Sequence, residues 1–349
     1  MKKINSYFNI PTNNIGIRAN ANESYKNITD EELREISTSL EKINFNRYPD
    51  SDSTELREAY GRVIGIEKEN IIAGNGSDEM ISLIINSQIS MGDIVLTLEP
   101  DFSMYDFYTS INDGVIKKYR SEKDGSFNIE EFIKFGKEIN PKIIIFSNPN
   151  NPTGYVISND EIINILDSFE NTLVIVDEAY YEFYGHSMIS YINNHSNLIV
   201  TRTLSKAWGL AALRIGFLIA NRSIIDNLNK SKAPYNLNAF SQVAACKVLN
   251  HPENILKNVD EIVHERERLY KELKDIQEKS NSKIIFYKSK ANFIFGRSNS
   301  TRRIKSILDE KGISIRYFND DSFRITVGSA LENDLVVSTI KKVLLNNGG

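Results

Sequence analysis

From residue 70 onward the chain alternates short apolar runs with helical stretches, the runs falling at 71–73, 94–98, 114–119, 142–146, 173–176, 198–200 and 215–220. Strands this apolar are buried on both faces. Joined by helix-length segments, they predict an α/β fold with a mostly parallel central sheet sandwiched by helices. Ligands of such a sheet bind beyond the carboxyl ends of its strands. The last third differs: a charged amphipathic helix over 252–279, strands at 284–287 and 292–296, a helix over 301–311, strands around Ile315 and Ile325, and a helix from Glu332. That is a smaller α+β module. At 349 residues one core has usually stopped growing, so a large domain over 29–245 and a small C-terminal one over 246–349 are expected. An Asn-rich arm, 1–28, is expected to pack with the small domain.

Ahead of the sheet, Thr29 with Glu32 predicts a capping box opening a helix through Lys42, and Asp52 with Glu55 another through Val63. Between them, Tyr48 sits at the tip of the turn 46–50. The balance of 42 basic against 46 acidic residues gives a net charge of −4, with no general attraction for nucleic acid or acidic lipid. The single Cys246 excludes an internal disulfide, and no Cys or His spacing suggests zinc. The first residues lack the apolar core of a signal peptide, and the longest apolar tract, 208–220, is broken by Arg214. A cytoplasmic protein without a membrane span is expected.

The stretch 203–216 carries the most chemistry. Lys206 stands behind the hydroxyls of Thr203 and Ser205 and among Leu204, Ala207, Trp208 and Leu210. A lysine among apolar groups and near another cation loses its proton near neutral pH, as the amine of a pyridoxal-phosphate Schiff base must. Thr203, Ser205 and the fork of Arg214 would hold the cofactor's phosphate. An isolated Ser-Lys pair also describes a solvated turn, so support is needed from elsewhere.

Five other places in the chain supply it. Residues 74–79, between a strand and a helix, offer free N–H groups and glycines, suited to an anion or to a simple helix cap; they match neither dinucleotide nor Walker patterns. After the strand 94–98 come Phe102 and Tyr105, both candidates to stack on a planar cofactor. Two Asn-Pro steps stiffen 147–154 and place Asn151 on a ligand oxygen. Asp177 ends an apolar strand, where a buried carboxylate needs a partner. A protonated ring nitrogen would serve, with Tyr180 bonding the ring oxygen; a helix cap or a Mg²⁺ ligand is the other reading, without a P-loop to accompany it. Arg316 and Arg324, near strand ends, can clamp an anionic substrate.

Together these stretches, with 46–50, 234–238 and 323–328, resemble the fold type I pyridoxal-phosphate-dependent aminotransferases, and within them the histidinol-phosphate aminotransferase family, over nearly the whole chain. The resemblance implies that Lys206 holds the cofactor and moves the proton, Asp177 holds the ring nitrogen, and Tyr180 and Asn151 the ring oxygen. Gly76, Ser77, Thr203, Ser205 and Arg214 would hold the phosphate, with Asp78 in the same site, and Phe102 would stack on the ring. Tyr48 would reach the phosphate of the neighbouring subunit, implying a homodimer with shared active sites. Arg324 would grip the substrate's carboxylate end and Arg316 its distal anionic group, with Asn22 and Asn236 also at the substrate. The chain departs from the family in its arm, which has Asn22-Glu-Ser-Tyr25 and only Tyr7 upstream, and in the short loop 317–323. The implied reaction is transamination between glutamate and a phosphorylated or aromatic keto compound, imidazole-acetol phosphate first. A threonine-phosphate-decarboxylase-like enzyme is the near alternative.

Overall fold

The computed structural model describes residues 16–280 and 284–345; the first half of the expected arm, Tyr7 included, lies outside the described residues. What remains of the arm forms β1 (Ile17–Ala19) and is followed by α1 (Asp30–Leu40) and α2 (Thr54–Ile64). The Thr29 box forms as expected: the Glu32 N–H donates to Thr29 Oγ1, and the Thr29 N–H donates back to Glu32 Oε2 at 2.7 Å. The second expected box does not. Ser53 caps α2 in the left-handed region at φ 49°, and Asp50 takes over, accepting the N–H of Thr54 at 2.7 Å.

Each of the seven apolar runs becomes a strand: β2 (Ile71–Asn75), β3 (Ile94–Glu99), β4 (Val115–Arg120), β5 (Ile143–Ser147), β6 (Leu173–Asp177), β7 (Leu198–Thr203) and β8 (Ile215–Ala220). They form one sheet in the order β2-β8-β7-β6-β5-β3-β4, parallel except for β8, which is antiparallel to both neighbours. Alternate side chains sort to opposite faces. Ile144, Phe146, Val174 and Val176 pack on one side with Phe132, Ile162 and Ile165 of the intervening helices, and Ile143, Ile145 and Ile175 on the other with Met80, Ile81 and Ile84. That two-sided burial is why the inner strands carry no polar stripe; β4, expected to be buried like the rest, instead lies exposed at the sheet edge, with Lys117, Lys118 and Arg120 on it.

The helices between and after them are α3 (Gly76–Gln88), α4 (Met104–Ile111), α5 (Ile129–Ile139), α6 (Asn159–Ser168), α7 (Arg222–Asn229), α8 (Ala239–Leu249) and the long α9 (Pro252–Lys279). A second sheet follows, from β9 (Ile284–Tyr287), β10 (Phe293–Ser298), β11 (Ile313–Tyr317) and β12 (Ser322–Thr326), with α10 (Thr301–Glu310) and α11 (Ala330–Leu345). Its order is β1-β11-β12-β10-β9, so the arm supplies its edge strand, parallel to β11. This pairing carries residues 20–22 over the carboxyl ends of the central strands.

Candidate active site

Asp177 ends β6 and is 3 % exposed. Its Oδ2 accepts from the Tyr105 hydroxyl at 2.9 Å and its Oδ1 from that of Thr201 at 3.1 Å. Burial raises its pKa to about 6, against the two hydroxyls. A cation placed on its remaining lone pairs would restore the ordinary range. Tyr105 thus gives its hydroxyl to Asp177, and Phe102, meeting Tyr105 edge-on at 5.6 Å, is left as the half-buried ring of that loop. Tyr105 was expected as a stacking ring and not as a partner of Asp177, and Thr201 was not expected at all. Thr201 had a signal: it lies two residues before Thr203, on the same face of β7.

Lys206 lies in the loop after β7, walled by buried Leu204, Ala207, Trp208 and Leu210. Its Nζ donates to the Ala21 carbonyl at 2.9 Å. Burial lowers its pKa to about 8; Arg324 and Arg214 lower it further, opposed by Glu23 and Asp78.

Because β2 runs antiparallel to β8, with Gly74 opposite Gly216 and Asn75 opposite Ile215, the N-terminus of α3 meets Arg214. The approach is close: a Cβ on Gly76, itself at φ +76°, would come within 2.7 Å of Arg214 Nη2, and one on Gly216 within 2.2 Å of the Ser77 nitrogen. Arg214 Nη1 donates to Ser205 Oγ at 3.3 Å and Nη2 to Asp78 at 3.2 Å, while Thr203 Oγ1 donates to Ser205 Oγ at 3.0 Å. Gly76, Ser77, Asp78, Thr203, Ser205 and Arg214 therefore meet at the positive end of a helix, where an anion is stabilised.

Arg324, buried on β12, donates through Nη1 to Asn151 Oδ1 and through Nη2 to the Asn20 carbonyl at 2.9 Å. Asn22, buried at φ 55°, donates to the Tyr180 hydroxyl at 2.9 Å and accepts from Thr326 at 3.0 Å. Three consecutive arm residues thus meet Arg324, Lys206 and Tyr180. Burial raises the pKa of Tyr180, against the nearby Arg324.

Of the remaining three expected residues, one faces this cluster and two lie apart from it. Arg316 faces Arg324 in register on β11, its guanidinium 5.9 Å from the Phe318 ring. Asn236, expected at the substrate, has its amide engaged beneath α3 instead, on the Ala73 carbonyl and Glu79 Oε1, both at 3.1 Å. Tyr48 is 81 % exposed and stacks on Tyr235 at 4.6 Å. Among the described residues no cluster of His, Cys, Asp and Glu is arranged to hold a metal.

The profile of the aminotransferase class I and II family matches residues 13–340. A histidinol-phosphate aminotransferase of Clostridium novyi (strain NT) is 42 % identical over 329 residues, 93 % of this chain and 91 % of that protein. Among solved structures, the histidinol-phosphate aminotransferase from Clostridium acetobutylicum has a TM-score of 0.85 at 25 % identity, covering 95 % of this chain and 99 % of that one. The enzyme of that name from Sinorhizobium meliloti, in complex with pyridoxal-5′-phosphate, has a TM-score of 0.85 at 22 % identity, covering 95 % and 91 %. The donor set here fits that cofactor: a buried carboxylate that gains from a cation, a lysine poised to lose its proton, and a glycine-lined helix terminus beside an arginine.

Proposed function

The chain belongs to the class I and II aminotransferases, and we propose that it is a histidinol-phosphate aminotransferase, exchanging an amino group between histidinol phosphate and 2-oxoglutarate with pyridoxal 5′-phosphate as cofactor. The 42 % identity across 93 % of the chain to a protein of that name carries the choice of substrate. The position of Lys206 between Arg324 and Arg214 supports the chemistry. When bound, the cofactor supplies an electron sink for the substrate's Cα carbanion and stores the amino group between half-reactions.

Asp177 takes the ring nitrogen, Tyr180 and Asn151 the ring oxygen, and Phe102 the ring face. Gly76, Ser77, Thr203, Ser205 and Arg214 take the phosphate, with Asp78 orienting the arginine. Lys206, with a pKa of about 8, keeps a free-amine fraction at neutral pH that can take the proton from Cα of the amino donor and, in the opposite half-reaction, deliver one to Cα of the keto acceptor. Arg324 receives the carboxylate of glutamate in place of the carbonyl and amide oxygens it now holds, and Arg316 the distal anionic group.

The assembly is a homodimer with shared sites. Phe45 and Tyr48 are 80 % and 81 % exposed, beside Phe240 and Tyr235, an aromatic patch of the kind an interface covers. The large domain spans 29–245 and the small one 246–349 with the arm. No described helix is long and apolar enough to cross a membrane; the proposed location is the cytoplasm.

The test is an absorbance spectrum with pyridoxal phosphate, followed by an assay with histidinol phosphate and 2-oxoglutarate. A cofactor band lost in Lys206→Ala, with glutamate formed only when both substrates are present, is the expected result. CO₂ release from threonine phosphate without transamination would move the reaction to decarboxylation, and a protein with no cofactor band would overturn the assignment.

A further inference from the structure

Beneath the candidate ring site the polar contacts continue past Asp177. Tyr105, which donates to Asp177, has the Ser147 side chain beside its own oxygen. Ser147 in turn donates its hydroxyl to Asp101 Oδ1 and its N–H to Asp101 Oδ2 at 3.1 Å. Asp101 Oδ1 also accepts the Phe102 N–H at 2.8 Å, and Ser147 Oγ accepts the Asn151 N–H at 2.9 Å. Register places Ser147 directly opposite Asp177. Asp101 therefore reaches Phe102 directly, Asn151 through one hydroxyl and Asp177 through two. No role assigned above uses it, and a half-buried carboxyl that accepts from one hydroxyl and two N–H groups needs its surroundings matched to its charge.

We propose that Asp101 is a positioning residue for the ring-facing wall of the site, acting through Ser147 and Tyr105 to set the charge and orientation of Asp177. The inference rests on the pyridoxal-phosphate reading above. The titratable groups facing Asp101 are Asp177 on β6 and Tyr105 on α4, and Asp78 acts on Asp177 in turn. Burial raises the pKa of Asp101 to about 8, and the charge on Asp177 raises it too. Burial raises both carboxyls and the charge on Asp177 raises Asp101 further, so the pair resists a second negative charge, and a ring-nitrogen cation at Asp177 would keep the charge there. A neutral Asp101 becomes a donor to Ser147, whose proton then turns toward Tyr105, and the hydroxyls line up toward the carboxylate.

Titration of the aspartate carboxyls by ¹³C NMR in the cofactor-free protein tests this without depending on catalysis. The expected wild-type pattern is two coupled steps. Asp177→Asn is expected to lower the upper midpoint by about one pH unit as the neighbouring charge disappears. Asp101→Asn, which imitates the neutral carboxyl, removes the upper step, and Tyr105→Phe weakens the coupling. With pyridoxal phosphate bound, the pH dependence of the absorbance band is expected to be kept in Asp101→Asn, which imitates the neutral carboxyl, and shifted in Asp101→Ala, which breaks the chain of hydroxyls. Should Asp101→Ala fail to fold, Ser147→Ala cuts the same chain. An Asp101 titration indifferent to Asp177→Asn would overturn the inference. Failure to bind pyridoxal phosphate would instead overturn the cofactor assignment, with the carboxyl coupling still measurable.

Discussion

The Lys206 ammonium donates to the Ala21 carbonyl at 2.9 Å, joining residues 185 positions apart. Its contact with the arm leaves it under pressure from two arginines, and the sign of the effect on stability follows. Its folded pKa, about 8, lies below the ordinary 10.5, so the stability tied to the neutral amine is complete above 10.5 and is lost as pH falls through about 8. At about 1.4 kcal/mol for each pKa unit, cofactor-free Lys206→Met is expected to exceed the wild type in stability by about 3.5 kcal/mol near neutrality. Urea unfolding at about pH 7 and about pH 10 checks this, the gap closing at the higher pH. A gap of equal size at both would mean that packing, not charge, sets it.

The contact between β8 and the start of α3 sets a second expectation. A Cβ on Gly216 would lie 2.2 Å from both the Gly76 carbonyl carbon and the Ser77 nitrogen, backbone atoms that cannot swing aside. Gly216→Ala is expected to cost about 1–3 kcal/mol of stability. Because the displaced atoms belong to the proposed anion site, affinity should fall for pyridoxal phosphate and barely change for pyridoxal, which lacks the phosphate. Equal loss for both would place the damage elsewhere.

What was legible beforehand was what local order encodes. Six of the seven apolar runs became strands buried on both faces, while the seventh, β4, lies exposed at the sheet edge; Asp177 ends a strand and Asn151 and Lys206 follow strand ends, where a parallel sheet collects its loops. The Thr29 box closed within three residues, but the Asp52 box failed because Ser53 turned left-handed and Asp50 reached Thr54. The partners of the site residues were less legible. Asn20, Ala21 and Asn22 reach Arg324, Lys206 and Tyr180 only because β1 pairs with β11, a register set across the whole chain. Tyr105 was weighed as a ring, yet its placement in α4 aims its hydroxyl at a carboxylate two strands away in the sheet order.

That hydroxyl is open to a direct test. Tyr105→Phe keeps the ring and removes one of the two side-chain hydroxyls donating to Asp177. Losing a hydrogen bond to a buried charged group costs about 1.5–3 kcal/mol, so cofactor affinity is expected to fall about tenfold or more. The carboxylate, now less stabilised, titrates higher, so the acid limb of the pH–rate profile should move upward. Thr201→Val is expected to act in the same direction, and Asp177→Asn to exceed both. An unmoved acid limb in Tyr105→Phe would show that this limb does not report Asp177.

Tyr48 offers a test of the shared site that no single variant provides. Its ring is 81 % exposed and lies nearly flat on Tyr235, 20° from parallel, so within one subunit it covers no site group. If it serves the phosphate of the partner, Tyr48→Ala and Lys206→Ala damage different halves of each site. In a mixed dimer, the Lys206 of one chain then faces the Tyr48 of the other, and one of the two sites is whole. Random re-pairing of equal amounts of the two variants yields about half mixed dimers, so activity should recover to about a quarter of wild type from two weakly active parents. Activity that stays at the average of the parents after mixing and re-pairing would confine Tyr48 to its own subunit.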